Sequence, residues 1–185
     1  MNVILTGFMG AGKSTAIEFL STLYNSYDLD ETIEKATNFK ISEIFKIKGE
    51  KIFREIEKDI FDKLLDFNNI IISTGGGTIT YYPDLKKLKN NCKIIFLYSS
   101  FEVLLDRVKN TDRPLAKDIK KFEDLYFERL PIYLANADFM VYSNEKDWHY
   151  KIIKYLKIIG FNGKKDIEKD KKINQVIENI KKNVL

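Results

Sequence analysis

The run Gly7-Phe8-Met9-Gly10-Ala11-Gly12-Lys13-Ser14-Thr15 carries the G-x-x-x-x-G-K-[ST] spacing of a phosphate-binding loop. The residue types explain the chemistry. Glycines let the backbone curl until successive N–H groups point inward at phosphate oxygens, Lys13 reaches the β- and γ-phosphates, and the Ser14 hydroxyl is a ligand for Mg²⁺. Gly10, Ala11, Gly12, Lys13, Ser14 and Thr15 are therefore the expected contacts of a nucleoside triphosphate. The apolar run Asn2–Thr6 supplies the strand before the loop. A helix expected from Ser14 adds its positive dipole end.

Three further constellations suit phosphoryl transfer. In Asp28-Leu29-Asp30, alternation along an extended segment would point both carboxylates to one side, one for a metal and one for an acceptor hydroxyl. Alternatively, Asp30 caps a helix that begins near Glu31. Ser73-Thr74-Gly75-Gly76-Gly77 directly follows the run Ile70–Ile72, so a triple glycine stands at the carboxyl end of a buried strand, where ligand crevices form in open α/β sheets. Arginine is the third signal. Of 31 basic residues only Arg54, Arg107, Arg113 and Arg129 are arginine, the side chain whose flat fork of donors holds carboxylates and phosphates bidentately. Arg54 and Arg129 would form a carboxylate clamp. Arg113, in the polar, proline-broken stretch Lys109–Asp118, would close from a lid over about residues 109–121 as an arginine finger in cis.

The elements that must position these groups read as an α/β domain with a mainly parallel sheet. Strands are expected at Asn2–Thr6, Ile70–Ser73, Lys93–Tyr98 and Phe139–Tyr142, with a fifth ending near Asp28. From Gly49 to Phe67, Phe53, Ile56, Ile60, Leu64 and Phe67 mark one face of an amphipathic helix, with Arg54 just off it and Glu57 as its i+3 ion-pair partner. Helices are also expected at Ser99–Val108, from about Lys120 toward Arg129 with a disturbance at Pro131, and near Trp148–Ile159 and Ile173–Leu185. Gly160–Lys172 reads as a turn or loop.

Composition narrows the class. The 185 residues, 44% apolar, suit one domain over 1–185. The longest apolar runs fall far short of the roughly 20 residues of a membrane helix, and no charged-then-apolar leader precedes the first strand. Cys92 is the single cysteine, read as a structural thiol in a reducing, cytoplasmic setting. The basic excess lies in the tail, where Lys151–Leu185 holds ten lysines against four acids. Its alternating signs and lack of interleaved aromatics read as solvated faces of a helical extension over about 147–185, not as a nucleic-acid surface. Trp148 and His149 read as packing or surface residues.

Taken together, the motifs resemble the shikimate kinases of the nucleoside-monophosphate-kinase-like P-loop group. The resemblance is collinear over about residues 1–145 and runs through the phosphate loop, Asp28-x-Asp30, Ile33-Glu34, Ser42-x-Ile44-Phe45 with Glu43 between, Gly49 to Glu57, Ser73 to Gly77, Arg113-Pro114-Leu115 and Arg129-x-x-x-Tyr133. It implies a three-layer α/β/α P-loop fold with a five-stranded, mainly parallel sheet, a lid and a helical C-terminus. It also implies an ATP- and Mg²⁺-dependent monomeric enzyme that phosphorylates the 3-hydroxyl of shikimate in chorismate and aromatic amino-acid biosynthesis. By the same resemblance Ser14 ligates the metal and Asp28 supports it through water. Asp30 orients or deprotonates the attacking hydroxyl, Arg54 and Arg129 hold the carboxylate beside Gly75, Gly76 and Gly77, Arg107 lies against adenine, and Arg113 reaches the phosphates. Two departures are visible: the Lys13–Asp28 segment is about two residues short, and the chain after Ser143 is long, leaving the adenine-side loop near Asn144–Lys146 unaligned. A gluconate-type kinase and a non-catalytic ATP-binding module are the alternatives.

Overall fold

The computed structural model describes residues 1–82, 85–109 and 118–184, with the backbone alone at 85–87 and 182–184. The five strands are β1 Asn2–Thr6, β2 Ser26–Asp28, β3 Ile71–Ser73, β4 Cys92–Tyr98 and β5 Phe139–Tyr142. All pair in parallel, in the order β2-β3-β1-β4-β5. β1 is buried along its whole length, as a central strand of a parallel sheet covered on both faces must be. Its side chains divide by face: Val3 and Leu5 enter one core and Ile4 the other.

The first core is closed by α1 Lys13–Leu20, α6 Phe101–Val108, α7 Ile119–Asn136 and α8 Trp148–Ile158. The second is closed by α2 Leu29–Thr37, α3 Ile41–Leu65 and α9 Ile167–Val184. Two short helices, α4 Thr78–Tyr81 and α5 Leu85–Asn91, link β3 to β4. This is the expected three-layer architecture, and among the described residues no helix is long and apolar enough to cross a membrane. Between Lys13 and Asp28 the chain forms an eight-residue α1 and a three-residue β2.

Local chemistry sets several boundaries differently from expectation. β2 stops at Asp28 because its Oδ1 accepts from the backbone N–H of Asp30 (3.0 Å) and Glu31 (3.3 Å), which makes Asp28 the N-cap of α2. Asp30 lies inside the first helical turn, so neither the extended alternation nor a capping role for Asp30 holds. The Gly49–Phe67 helix is the second arm of a longer α3, kinked at Gly49, where φ is +81°. α7 runs straight through Pro131. That proline is exposed, so the carbonyl it leaves unpaired lies on the solvent side, and the buried face of Phe122, Tyr126 and Tyr133 continues unbroken.

α9 begins at Ile167, six residues before the expected start, because Asp166 Oδ1 caps it through the N–H groups of Glu168 (3.0 Å) and Lys169 (3.1 Å). Ile173, Ile177 and Ile180 are buried in the core shared with α2 and α3. Each contributes roughly 1.5–3 kcal/mol, so the lysine-rich tail is a docked helix whose opposite face carries exposed Lys171 and Lys172. Cys92 is buried at the start of β4, where burial pushes its thiol up to about 11. The expected lid and Arg113 fall largely on 110–117, outside the described residues.

Candidate active site

Both glycine-rich loops leave the carboxyl ends of adjacent strands, β1 and β3, which is why they meet. Gly10 and Gly12 adopt φ of +83° and +89°, a left-handed region that side chains disfavour. Gly12 in this conformation is the N-cap of α1, so the first amides of the helix face the loop. Lys13 Nζ donates to the carbonyls of Gly7 (2.8 Å) and Phe8 (3.0 Å), which holds the ammonium folded over the loop it would serve. Thr15 and Ser14 line a groove of about 430 Å³ together with Glu18, Asp28 and Glu31.

The triple glycine is the meeting point of the acceptor-side candidates. A Cβ on Gly75 would stand 2.8 Å from Asp30 Oδ1. One on Gly77 would stand 2.8 Å from Arg54 Nη2 and 3.3 Å from Arg129 Nη2, and one on Gly76 lies 3.5 Å from Arg129 Nη1 and 3.6 Å from the Gly7 carbonyl. Asp30 from α2, Arg54 from α3 and Arg129 from α7 thus converge on one backbone segment beside the phosphate loop. Their setting has one carboxylate and two guanidinium groups, suited to a small anion bearing hydroxyls.

Arg54 is held firmly. Its Nη1 donates to Glu57 Oε2 at 2.7 Å and its Nη2 to Glu50 Oε1 at 3.1 Å, while the guanidinium lies 4.3 Å over the Tyr81 ring and 5.0 Å from that of Phe53. Glu57 is buried and also accepts from Thr78 Oγ1 at 2.7 Å, so the ion pair has the extra hydrogen bond that a buried charge requires. Arg54 Nε is buried with no hydrogen-bond partner among the described residues. Glu57 was visible in the sequence as an i+3 partner. Thr78 and Tyr81 were not, because only the return of β3 into α4 brings them under α3. Tyr133, one turn beyond Arg129, donates to the Gly76 carbonyl, and burial pushes its hydroxyl up to about 12, so it stays a donor that fixes the glycine loop.

Asp28 and Asp30 separate. Asp30 faces the glycine loop, whereas Asp28 lines the groove with Ser14. Among the described residues no cluster of three or more His, Cys, Asp or Glu side chains is arranged to hold a metal. The donors present are hard oxygens, one hydroxyl and one carboxylate. They fit Mg²⁺, which keeps most of its waters and takes other ligands from phosphate.

Arg107 bridges three elements: Nη1 donates to the Gly10 carbonyl (3.1 Å), Ser99 Oγ (3.3 Å) and Ser143 Oγ (3.2 Å), and Nη2 to the Ser143 carbonyl (2.9 Å). It ties the phosphate loop to the ends of β4 and β5. Next to it, Trp148 packs on the loop, its Cζ2 3.1 Å from where a Cβ on Gly12 would lie. The first residue of α8 thus touches the phosphate loop, a contact with no sequence signal because the residues lie so far apart along the chain. His149 packs against Phe19 with ring centroids 4.4 Å apart.

The family model for shikimate kinase matches residues 9–159. The shikimate kinase of Persephonella marina is 38% identical over 156 residues, covering 82% of this chain and 94% of that one. That of Lactococcus lactis is 40% identical over 149 residues, covering 79% and 90%. Among solved structures, the shikimate kinase of Acinetobacter baumannii in complex with shikimate superposes with a TM-score of 0.76 at 33% identity, covering 85% of this chain and 92% of the other.

Proposed function

The chain belongs to the shikimate kinase family, and from that premise we infer that it transfers the γ-phosphoryl group of ATP to the 3-hydroxyl of shikimate, giving shikimate 3-phosphate and ADP. The observation that carries the reading is the convergence of Asp30, Arg54 and Arg129 on Gly75–Gly77 beside the phosphate loop. Family membership sets aside a gluconate-type kinase. Intact Lys13, Ser14, Asp28 and Asp30 argue against a silent nucleotide-binding module.

Phosphoryl transfer needs in-line positioning and neutralised charge more than covalent chemistry. Lys13 and the amides from Gly10 to Thr15 bind the triphosphate. Ser14 and Asp28 would hold Mg²⁺, Asp28 through water, and the chemistry supplied there would be neutralisation of phosphate charge. Arg54 and Arg129 hold the substrate carboxylate against the Gly76 backbone, which orients the ring so that its 3-hydroxyl meets Asp30. Asp30 accepts the hydroxyl proton late in the transfer. Arg107 supports the adenine side, and Arg113 supplies positive charge to the transferring group. The enzyme works as a cytoplasmic monomer in aromatic amino-acid biosynthesis.

A coupled ADP-release assay with MgATP tests this directly, run with shikimate, with gluconate and without acceptor. ADP release that requires shikimate supports the assignment. Release with gluconate alone, or none with either despite ATP binding, overturns it.

A further inference from the structure

α9 lies wholly beyond residues 9–159, the span matched by the family model, yet it is built into the acceptor side of the site. Asp170 is the centre of the attachment. Its Oδ1 accepts from Asn25 Nδ2 at 2.6 Å and from the Tyr27 hydroxyl, and its Oδ2 pairs with Lys165 Nζ at 2.8 Å. Asn25 is fully buried and completes the lacing through the Asp166 backbone, donating to its carbonyl at 3.0 Å and accepting from its N–H at 2.9 Å. Tyr27 stands in β2 immediately before Asp28. One turn of helix later, Leu29 and Ile33 of α2 share the core with Ile173 and Ile177 of α9.

We propose that α9 braces the β2–α2 segment and that Asp170 is a positioning residue, acting through Tyr27 and Asn25 to fix Asp28 and Asp30. This rests on the roles given to those two aspartates above. The contacts select one half of the site. The phosphate loop and α1 hang on β1, whose pairing with β3 and β4 does not involve α9, so loosening the brace disturbs acceptor and metal positioning and leaves triphosphate binding intact. Misplacement by a fraction of an ångström suffices, since about 1 Å costs on the order of a hundredfold in rate.

The test compares Asp170→Ala, Asp170→Asn and Asp30→Asn in the full chain, well below each variant's unfolding temperature. It measures kcat, the KM for shikimate, and the affinity for a non-hydrolysable ATP analogue in the absence of Mg²⁺. Asp170→Ala is expected to lower kcat/KM for shikimate about tenfold while analogue affinity stays within about twofold. Asp170→Asn keeps the acceptor oxygen for Tyr27 and Asn25 and should restore near-parental kinetics. Tyr27→Phe, which keeps the ring and drops only the hydroxyl, should reproduce the Asp170→Ala pattern and carries the test if that variant does not fold. Normal kinetics in both Asp170→Ala and Tyr27→Phe, alongside an inactive Asp30→Asn, overturns the brace and leaves the reaction assignment standing. A lower melting temperature with kcat, KM and analogue affinity unchanged reduces Asp170 to a stabilising residue and also overturns it. Near-normal turnover in Asp30→Asn removes the premise itself.

Discussion

Asp30 Oδ1 lies 2.8 Å from the point where a Cβ on Gly75 would stand, so the carboxylate occupies space that any other residue at position 75 would claim. Gly75→Ala should push Asp30 off its position and lower kcat on the order of tenfold to a hundredfold, with the KM for ATP little changed. Asp30→Asn removes the proton acceptor without changing its shape. Steady-state kinetics on both variants checks this, and near-normal kcat in Asp30→Asn would show that the carboxylate does not handle the acceptor hydroxyl.

Arg54 binds by fork geometry, with two nitrogens held by Glu57 and Glu50. Arg54→Lys keeps the charge and loses the fork. The KM for shikimate should rise by about tenfold to a hundredfold, the loss of a charged hydrogen bond, and kcat should move less. An equal KM in the variant would remove Arg54 from the carboxylate clamp.

Arg113→Ala should lower kcat by about a thousandfold or more if the residue acts as an arginine finger. Shikimate affinity, measured by calorimetry, should stay near the parental value. A drop of only a few-fold would make Arg113 a minor contributor.

Trp148 is the only tryptophan in the chain and rests on Gly12 of the phosphate loop. Its fluorescence should therefore change when a MgATP analogue binds and stay constant with shikimate alone. Gly12→Ala puts a methyl group 3.1 Å from the indole at a φ of +89°, and should abolish the nucleotide response. A response to shikimate alone would contradict this local reading.

Burial disfavours the Cys92 thiolate and pushes the thiol up to about 11. Two pH units cut the thiolate fraction about a hundredfold, so at pH 8 the native thiol should react with a disulfide reagent roughly that much more slowly than in denaturant. The folded state favours the neutral thiol, so this contribution to stability is complete below pH 9 and is lost as pH rises toward 11. Chemical denaturation at pH 8 and pH 10.5 should show a smaller loss in Cys92→Ala than in the parent.

The strands and the phosphate loop were legible because their signals are local: a short run of Val, Ile and Leu, or glycines at fixed spacing. Asp28 illustrates the limit. The three residues read either as an extended alternation or as a cap by Asp30, and neither forms, because Asp28 itself satisfies two helical N–H groups. Asp166 reads as part of a loop because its capping partners are indistinct in a lysine-rich stretch. Pro131 reads as a break until its solvent exposure is known. The convergence of Arg54 and Arg129 was a proposal from residue type. Their common target, the Gly77 backbone, and the support from Thr78 and Tyr81 depend on tertiary neighbours that no periodicity encodes.

Ile173, Ile177 and Ile180 seal the same core as Leu29 and Ile33, which are made some 140 residues earlier. A ribosome adding about 5–20 residues per second leaves the apolar flank of α2 facing water for many seconds after it emerges. That half of the protein therefore closes only after translation has passed Ile180.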